Sequence, residues 1–133
     1  MKKKGIMQLN QTSIYRGLEL LMDWYLPIGV KMPKVSALEN LGDFFQDNLM
    51  EAMTTFAIAW ETDDAGTKLE LINTLIWHMS LCNTAIGNLY RFSSRKDQSV
   101  RVISQTQYAN YLEKINDLKS QIGGWKRKTA SKT

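Results

Sequence analysis

The sequence predicts an all-α protein, an antiparallel up-down-up-down four-helix bundle, and three observations carry that reading. Apolar residues recur at steps of three and four along most of the chain, and no segment alternates convincingly with period two. Four such stretches are joined by short segments of turn composition, which favours antiparallel neighbours. The two prolines, Pro27 and Pro33, both fall in "YLPIGVKMPK", so the other three stretches run unbroken.

In the first helix Ile14, Leu18, Leu21, Tyr25, Ile28 and Met32 form a heptad seam. The seam passes straight through Pro27, so the helix is expected to kink there and continue. Pro33 is expected to end it, because a residue before proline is pushed out of α conformation. The second helix is expected to start near Ser36 as N-cap, with Glu39 three residues on completing a capping box. It presents Leu38, Leu41, Phe45, Leu49, Ala52, Phe56 and Trp60. The stretch "ETDDAGT" (61–67) reads as a turn. The third helix offers Ile72, Leu75, Met79, Cys82, Ile86 and Leu89, and "SSRKDQS" (93–99) reads as a polar loop. The fourth helix begins after Ser104 and carries Tyr108, Tyr111, Ile115, Leu118, Ile122 and Trp125.

The closing segment, "SQIGGWKRKTASKT", pulls two ways. Two glycines cost a helix interior about 1 kcal/mol each relative to alanine, so Gly123 and Gly124 read as a terminus. Yet Trp125 lies three residues past Ile122 and extends the seam. In one reading the glycines let a neighbouring helix approach and the indole docks; in the other Gly123 is the C-cap and Trp125 packs back loosely.

With 133 residues and 44% apolar content, the chain is expected to form a single domain spanning 1–133, with short basic tails at both ends. Cys82 is the one cysteine, which excludes an internal disulfide and fits a reducing compartment. The N-terminal "MKKKGIMQLNQTS" has the cations of a secretory signal without its apolar region. No run approaches the roughly 18 apolar residues of a membrane span. No membrane partner is expected, and the expected location is cytoplasmic.

Charge is strongly segregated. Residues 1–34 carry six cations against two acids, residues 35–89 carry Lys68 alone against eight acids, and residues 90–133 carry ten cations against three. Such segregation speaks to partners: the basic ends suit a polyanion and the acidic middle a basic protein surface. In the expected topology Arg91, Arg95, Lys96 and Arg101 cap one end of the bundle. Lys2, Lys3 and Lys4 with Lys126, Arg127 and Lys128 cap the other. These are the candidate phosphate contacts, with solubility tails and a solvated loop as the plainer alternative. On the second helix Glu39, Asp43, Asp47 and Glu51 recur every four residues as one acidic ridge, a candidate partner-binding face.

Catalytic chemistry finds little support. His78 lies off the seam, without a carboxylate three residues away or a cysteine at metal spacing, and without the upstream arginine of HEPN-type ribonucleases. Cys82 falls on the seam and lacks a base. No glycine-rich phosphate loop occurs. No catalytic residue, metal ligand or cofactor is assigned, and the chain is expected not to be an enzyme. Tyr15, Met22, Trp24, Phe44, Ile58, Trp77 and Leu81 lie off the seams, more large apolar surface than one small bundle should expose, so a closed homo-oligomer is expected.

"YLPIGVKMPK" closing the first helix, "INTLIWHMSLCNTAIGNLYRF" in the third and "VISQTQYANYLEKINDLKSQIGGWKRK" in the fourth stand in a characteristic order. Over roughly residues 14–128 the chain resembles the accessory variability determinant (Avd) proteins of diversity-generating retroelements. A sister group, the four-helix proteins of ribosomal RNA intervening sequences, carries an Arg-rich stretch and a Ser-Ile-Pro-x-Asn-Ile segment that do not occur here. The resemblance implies a non-catalytic accessory protein that assembles as a barrel-like homopentamer. Such a protein binds an error-prone reverse transcriptase and nucleic acid, and supports mutagenic copying of template RNA into a variable gene (mutagenic retrohoming). The acidic second helix departs from that pattern. The alternative is a helical protein-interaction bundle of the intervening-sequence type, with no specific nucleic-acid role.

Overall fold

A computed structural model describes residues 8–93 and 102–132. They form a short 3₁₀ turn, Leu9–Gln11, and four α-helices: α1 (Ser13–Val30), α2 (Ser36–Glu61), α3 (Ala65–Ser93) and α4 (Gln105–Ala130). No strand occurs among the described residues. The fold is all-helical, as the periodicity requires.

Each helix starts for a local reason. Thr12 caps α1, its hydroxyl accepting from the Tyr15 N–H at 3.2 Å while donating to the Leu9 carbonyl at 2.9 Å. The helix does continue through Pro27, whose missing N–H leaves the Asp23 carbonyl without its usual helical partner. It ends at Val30, with Lys31 as C-cap and Pro33 beyond. The capping box expected at Ser36 and Glu39 does not form. Val35 is the N-cap of α2, in extended conformation and with no side-chain cap. Val35 is half-buried against the core, and burying that side chain outweighs a hydroxyl cap worth about 1 kcal/mol.

The turn before α3 is shorter than the composition suggests, spanning residues 62–64. The Asp64 carboxylate accepts from the Thr67 N–H at 2.9 Å and from its hydroxyl at 2.8 Å, so the helix already begins at Ala65. Those bonds, the backbone one first, hold the Asp64 carboxyl below the usual carboxylate range. At α4 the capping box is real: Gln107 N–H donates to Ser104 Oγ at 3.1 Å and Ser104 N–H to Gln107 Oε1 at 2.7 Å.

The seams meet in one core. Leu18, Leu21, Leu38, Phe45, Leu49, Ile72, Leu75, Met79, Ile86, Leu89, Ile115, Leu118 and Ile122 are fully buried. Each large apolar side chain so buried contributes roughly 1.5–3 kcal/mol relative to exposure. At the centre Phe45 meets Tyr25 at 5.1 Å and Tyr111 edge-on at 5.7 Å, tying α1, α2 and α4 together.

Specific side-chain contacts join neighbouring helices. Between α1 and α2 Tyr15 stacks on Phe56 and Tyr25 meets Phe45 at a tilt. Ser13 reaches Gln121 and Trp24 meets Tyr111 between α1 and α4. Asn48 bonds His78 between α2 and α3, and Tyr90 stacks on Tyr108 between α3 and α4. The α2–α3 pairing is the most extensive, and α1 packs more lightly.

Two glycines make room for side chains from elsewhere in the fold. A Cβ on Gly17 would strike Leu118 of α4, and one on Gly42 would strike the Tyr25 hydroxyl and, at 2.8 Å, Met32 Cε. Gly123 and Gly124 behave differently. They neither end α4, which runs on to Ala130, nor bring a neighbouring helix near. Among the described residues, a Cβ there would meet only the guanidinium of Arg127, at 3.7 and 3.8 Å. The expectation that these glycines permit a close helix approach is therefore corrected. Helical geometry carried through them is what puts Trp125 on the seam. The same continuity corrects the expected C-terminal tail: Lys126, Arg127 and Lys128 are helical.

Candidate nucleic-acid interface

Of the candidate phosphate contacts, Arg91, Lys126, Arg127 and Lys128 fall within the structure. Lys2, Lys3, Lys4, Arg95, Lys96 and Arg101 lie outside the described residues. Arg91 is exposed on the last turn of α3, its Nη2 donating to Asn88 Oδ1 at 2.9 Å beside the stacked Tyr90 and Tyr108 rings, 4.4 Å apart. Arg127 and Lys128 are exposed on the last turns of α4, and Lys126 is half-buried. In the last turn Arg127 and Lys128 also complement the negative end of the helix dipole, a purely local benefit of about 0.3–1 kcal/mol each.

The same end of the bundle gathers aromatic side chains. Trp125 packs edge-on to the buried Phe56 at 5.1 Å and lies 6.4 Å from Trp60, which stacks on Phe56 at 6.0 Å. The Lys68 ammonium stands 5.6 Å from the Trp125 ring centroid. A groove of about 580 Å³ opens beside these rings, lined also by Ser13, Gln121 and Lys128. Sequence reasoning placed Trp60 and Trp125 on their seams but missed Lys68 and the groove. The signal was available: both indoles are the last knobs of helices that the expected topology makes parallel, so they must arrive at one end.

The acidic ridge stands on α2, where Asp43, Asp47 and Glu51 are exposed and Glu39 is half-buried. Among the described residues none of the four forms an ion pair. Met50 (50% exposed) and Ile58 (52%) lie on the same outer side of the helix. Of the off-seam apolar residues, Phe44, Ile58 and Trp77 are exposed as expected. Tyr15, Met22 and Trp24 are instead half-buried against the core, and Leu81 is half-buried. The sequence did not single out Leu26 and Val30, which the end of α1 leaves exposed.

The residues weighed for catalysis have structural surroundings. His78 is half-buried with Nδ1 3.0 Å from Asn48 Oδ1, and the Asn48 amide donates to the Phe44 carbonyl at 2.9 Å. Burial pushes the Cys82 thiol up to about 12, far from a ready thiolate. Among the described residues no group of three or more His, Cys, Asp or Glu side chains is placed to hold a metal ion. No described helix is long and apolar enough to cross a membrane.

Comparison with protein-family models, with curated proteins and with solved structures gave no match. What the fold and the site define is a class: an all-helical protein of four packed helices, with an acidic outer face on α2 and a basic, aromatic edge at the end of α4.

Proposed function

We propose that the chain is a non-catalytic accessory protein that binds nucleic acid and a reverse transcriptase, in the manner of the accessory variability determinant proteins it resembles. The observation that carries this reading is the segregation of charge. Cations concentrate at both ends of the sequence, Arg91 and Lys126–Lys128 end their helices, and an acidic ridge, without an ion pair among the described residues, stands on α2 between them in sequence. Cations at the helix ends suit the phosphates of an RNA or DNA template. The ridge suits a basic protein surface, that of the polymerase or of a second copy.

The rest of the reading follows from the same features. An up-down-up-down topology is supported by contacts whose numbering runs in opposite senses: 15–56 and 25–45 between α1 and α2, 13–121 and 24–111 between α1 and α4, and 48–78 with 45–82 between α2 and α3. A closed homo-oligomer, five-fold by resemblance, is supported by exposed Leu26, Val30, Phe44, Met50, Ile58 and Trp77. The protein would work in the cytoplasm, without a membrane partner or a cofactor.

Filter binding to RNA tests the proposal. With about seven phosphate contacts, affinity falls on the order of 10³ between 50 and 200 mM salt. No binding at the lower salt would sink it. A second reading is favoured by Trp77, which is 61% exposed on α3: a protein-interaction bundle whose basic ends serve solubility alone. It predicts partner binding with no affinity for RNA.

A further inference from the structure

The groove beside Trp60 and Trp125 has a feature that internal packing does not explain. Gly124 lines it, in the interior of α4, where glycine weakens a helix. Gly17 and Gly42 are bare because a neighbouring side chain occupies the space. At Gly124 only the Arg127 guanidinium, on the same helix, comes within 4 Å of a Cβ position, at 3.8 Å. Among the described residues nothing fills the clearance that this glycine leaves, so it stays open to the groove. The rest of the lining has a consistent chemistry. Two half-buried indoles supply π surface over the buried Phe56, Ser13 and Gln121 supply polar edge groups, and Lys128 supplies charge. Among the described residues no carboxylate lines it.

We propose that this groove holds an unpaired base of a single-stranded nucleic acid. The base lies against the exposed parts of the Trp60 and Trp125 rings, with Lys128 facing an adjoining phosphate. The inference rests on the nucleic-acid reading above and adds to it a preference for unpaired strands. Every base has a π face, so stacking of this kind tolerates sequence, whereas a duplex keeps its bases stacked on one another. Lys128, in a described lining that holds no carboxylate, favours a polyanion over a neutral aromatic molecule.

The test uses the full chain, a labelled single-stranded oligouridylate and a duplex RNA of equal length, read by fluorescence anisotropy at low salt. Gly124→Leu fills the groove with a good helix former and leaves every cation in place. It should weaken oligouridylate binding about tenfold, leave duplex binding unchanged and keep the helical circular-dichroism melt at or above that of the parent. Equal oligouridylate affinity in the folded variant overturns the groove and leaves the nucleic-acid reading standing; a parent protein that binds neither RNA overturns both. A second measurement does not depend on that variant folding. In a Trp24→Phe/Trp77→Phe protein only the two groove indoles remain, and oligouridylate that binds should quench their fluorescence. Binding without quenching would overturn the proposal.

Discussion

The outer face of α2 and the closing turns of α4 both display charge beside apolar side chains, but the fold accounts for them unequally. On α4 the cations sit where a helix wants them, and Lys68 rests over an indole. On α2 four carboxylates stand at i, i+4, each pair costing roughly 0.2–0.5 kcal/mol, and the dipole helps none beyond Glu39. Charge that the fold explains is weak evidence for a partner, and charge that it leaves unrelieved is stronger. The ridge therefore points outward on its own. The basic end needs the groove and its open glycine to argue for a ligand.

The most drastic way to break this comparison is to reverse the ridge. Asp43→Lys/Asp47→Lys changes two exposed side chains, so the helical circular-dichroism signal should persist while the oligomer seen by native mass spectrometry at micromolar concentration falls to monomer, or polymerase binding is lost. A folded variant that keeps both associations would reduce the ridge to a wetted face. A parent protein that is itself monomeric would remove the homo-oligomer.

Glycine substitutions sharpen the contrast between the packed interior of α2 and the open end of α4. Gly42→Ala drives a methyl into the Tyr25 hydroxyl and should lower unfolding stability in urea by about 1–2 kcal/mol, the overpacking exceeding the gain in helix propensity. Gly123→Ala, with only Arg127 nearby among the described residues, should instead raise it by about 1 kcal/mol. Shifts of the same sign would mean that the two sites do not differ as described.

The smallest expected effect is alkaline. Burial first, and the Asp43 charge second, push Tyr25 up to about 12 from 10.0. An unfolded tyrosine ionises above pH 10 while the folded one keeps its proton, so this contribution is full below pH 10 and lost as pH rises toward 12. Tyr25→Phe should therefore lose less Tm than the parent between about pH 9 and 11; equal losses would contradict the assignment.

Much of the fold was legible because 3.6-residue periodicity survives in every helix. Ile14, Leu18, Leu21, Tyr25 and Ile28 are all buried, as are the seam residues of α3 from Ile72 to Leu89. Local chemistry was less legible where burial competed with it. Ser36 and Glu39 satisfy a capping pattern, yet half-buried Val35 fixed the register one residue earlier. The candidate site was legible as charge and not as shape. Lys68 looked like an isolated cation in an acidic stretch, and only the packing of α2, α3 and α4 brings it over Trp125. The double glycine looked like a terminus because propensity counts its cost and cannot see the groove it leaves open.

In the proposed function the end of α4 contacts nucleic acid through its cations. That contact is tested most directly by the salt dependence of RNA binding in Lys126→Gln/Arg127→Gln/Lys128→Gln. If those three side chains neutralise phosphates of a single strand, the slope of log affinity against log salt should fall by about two relative to the parent. An unchanged slope, with the variant folded and the parent binding, would show that the cations serve only the helix that carries them.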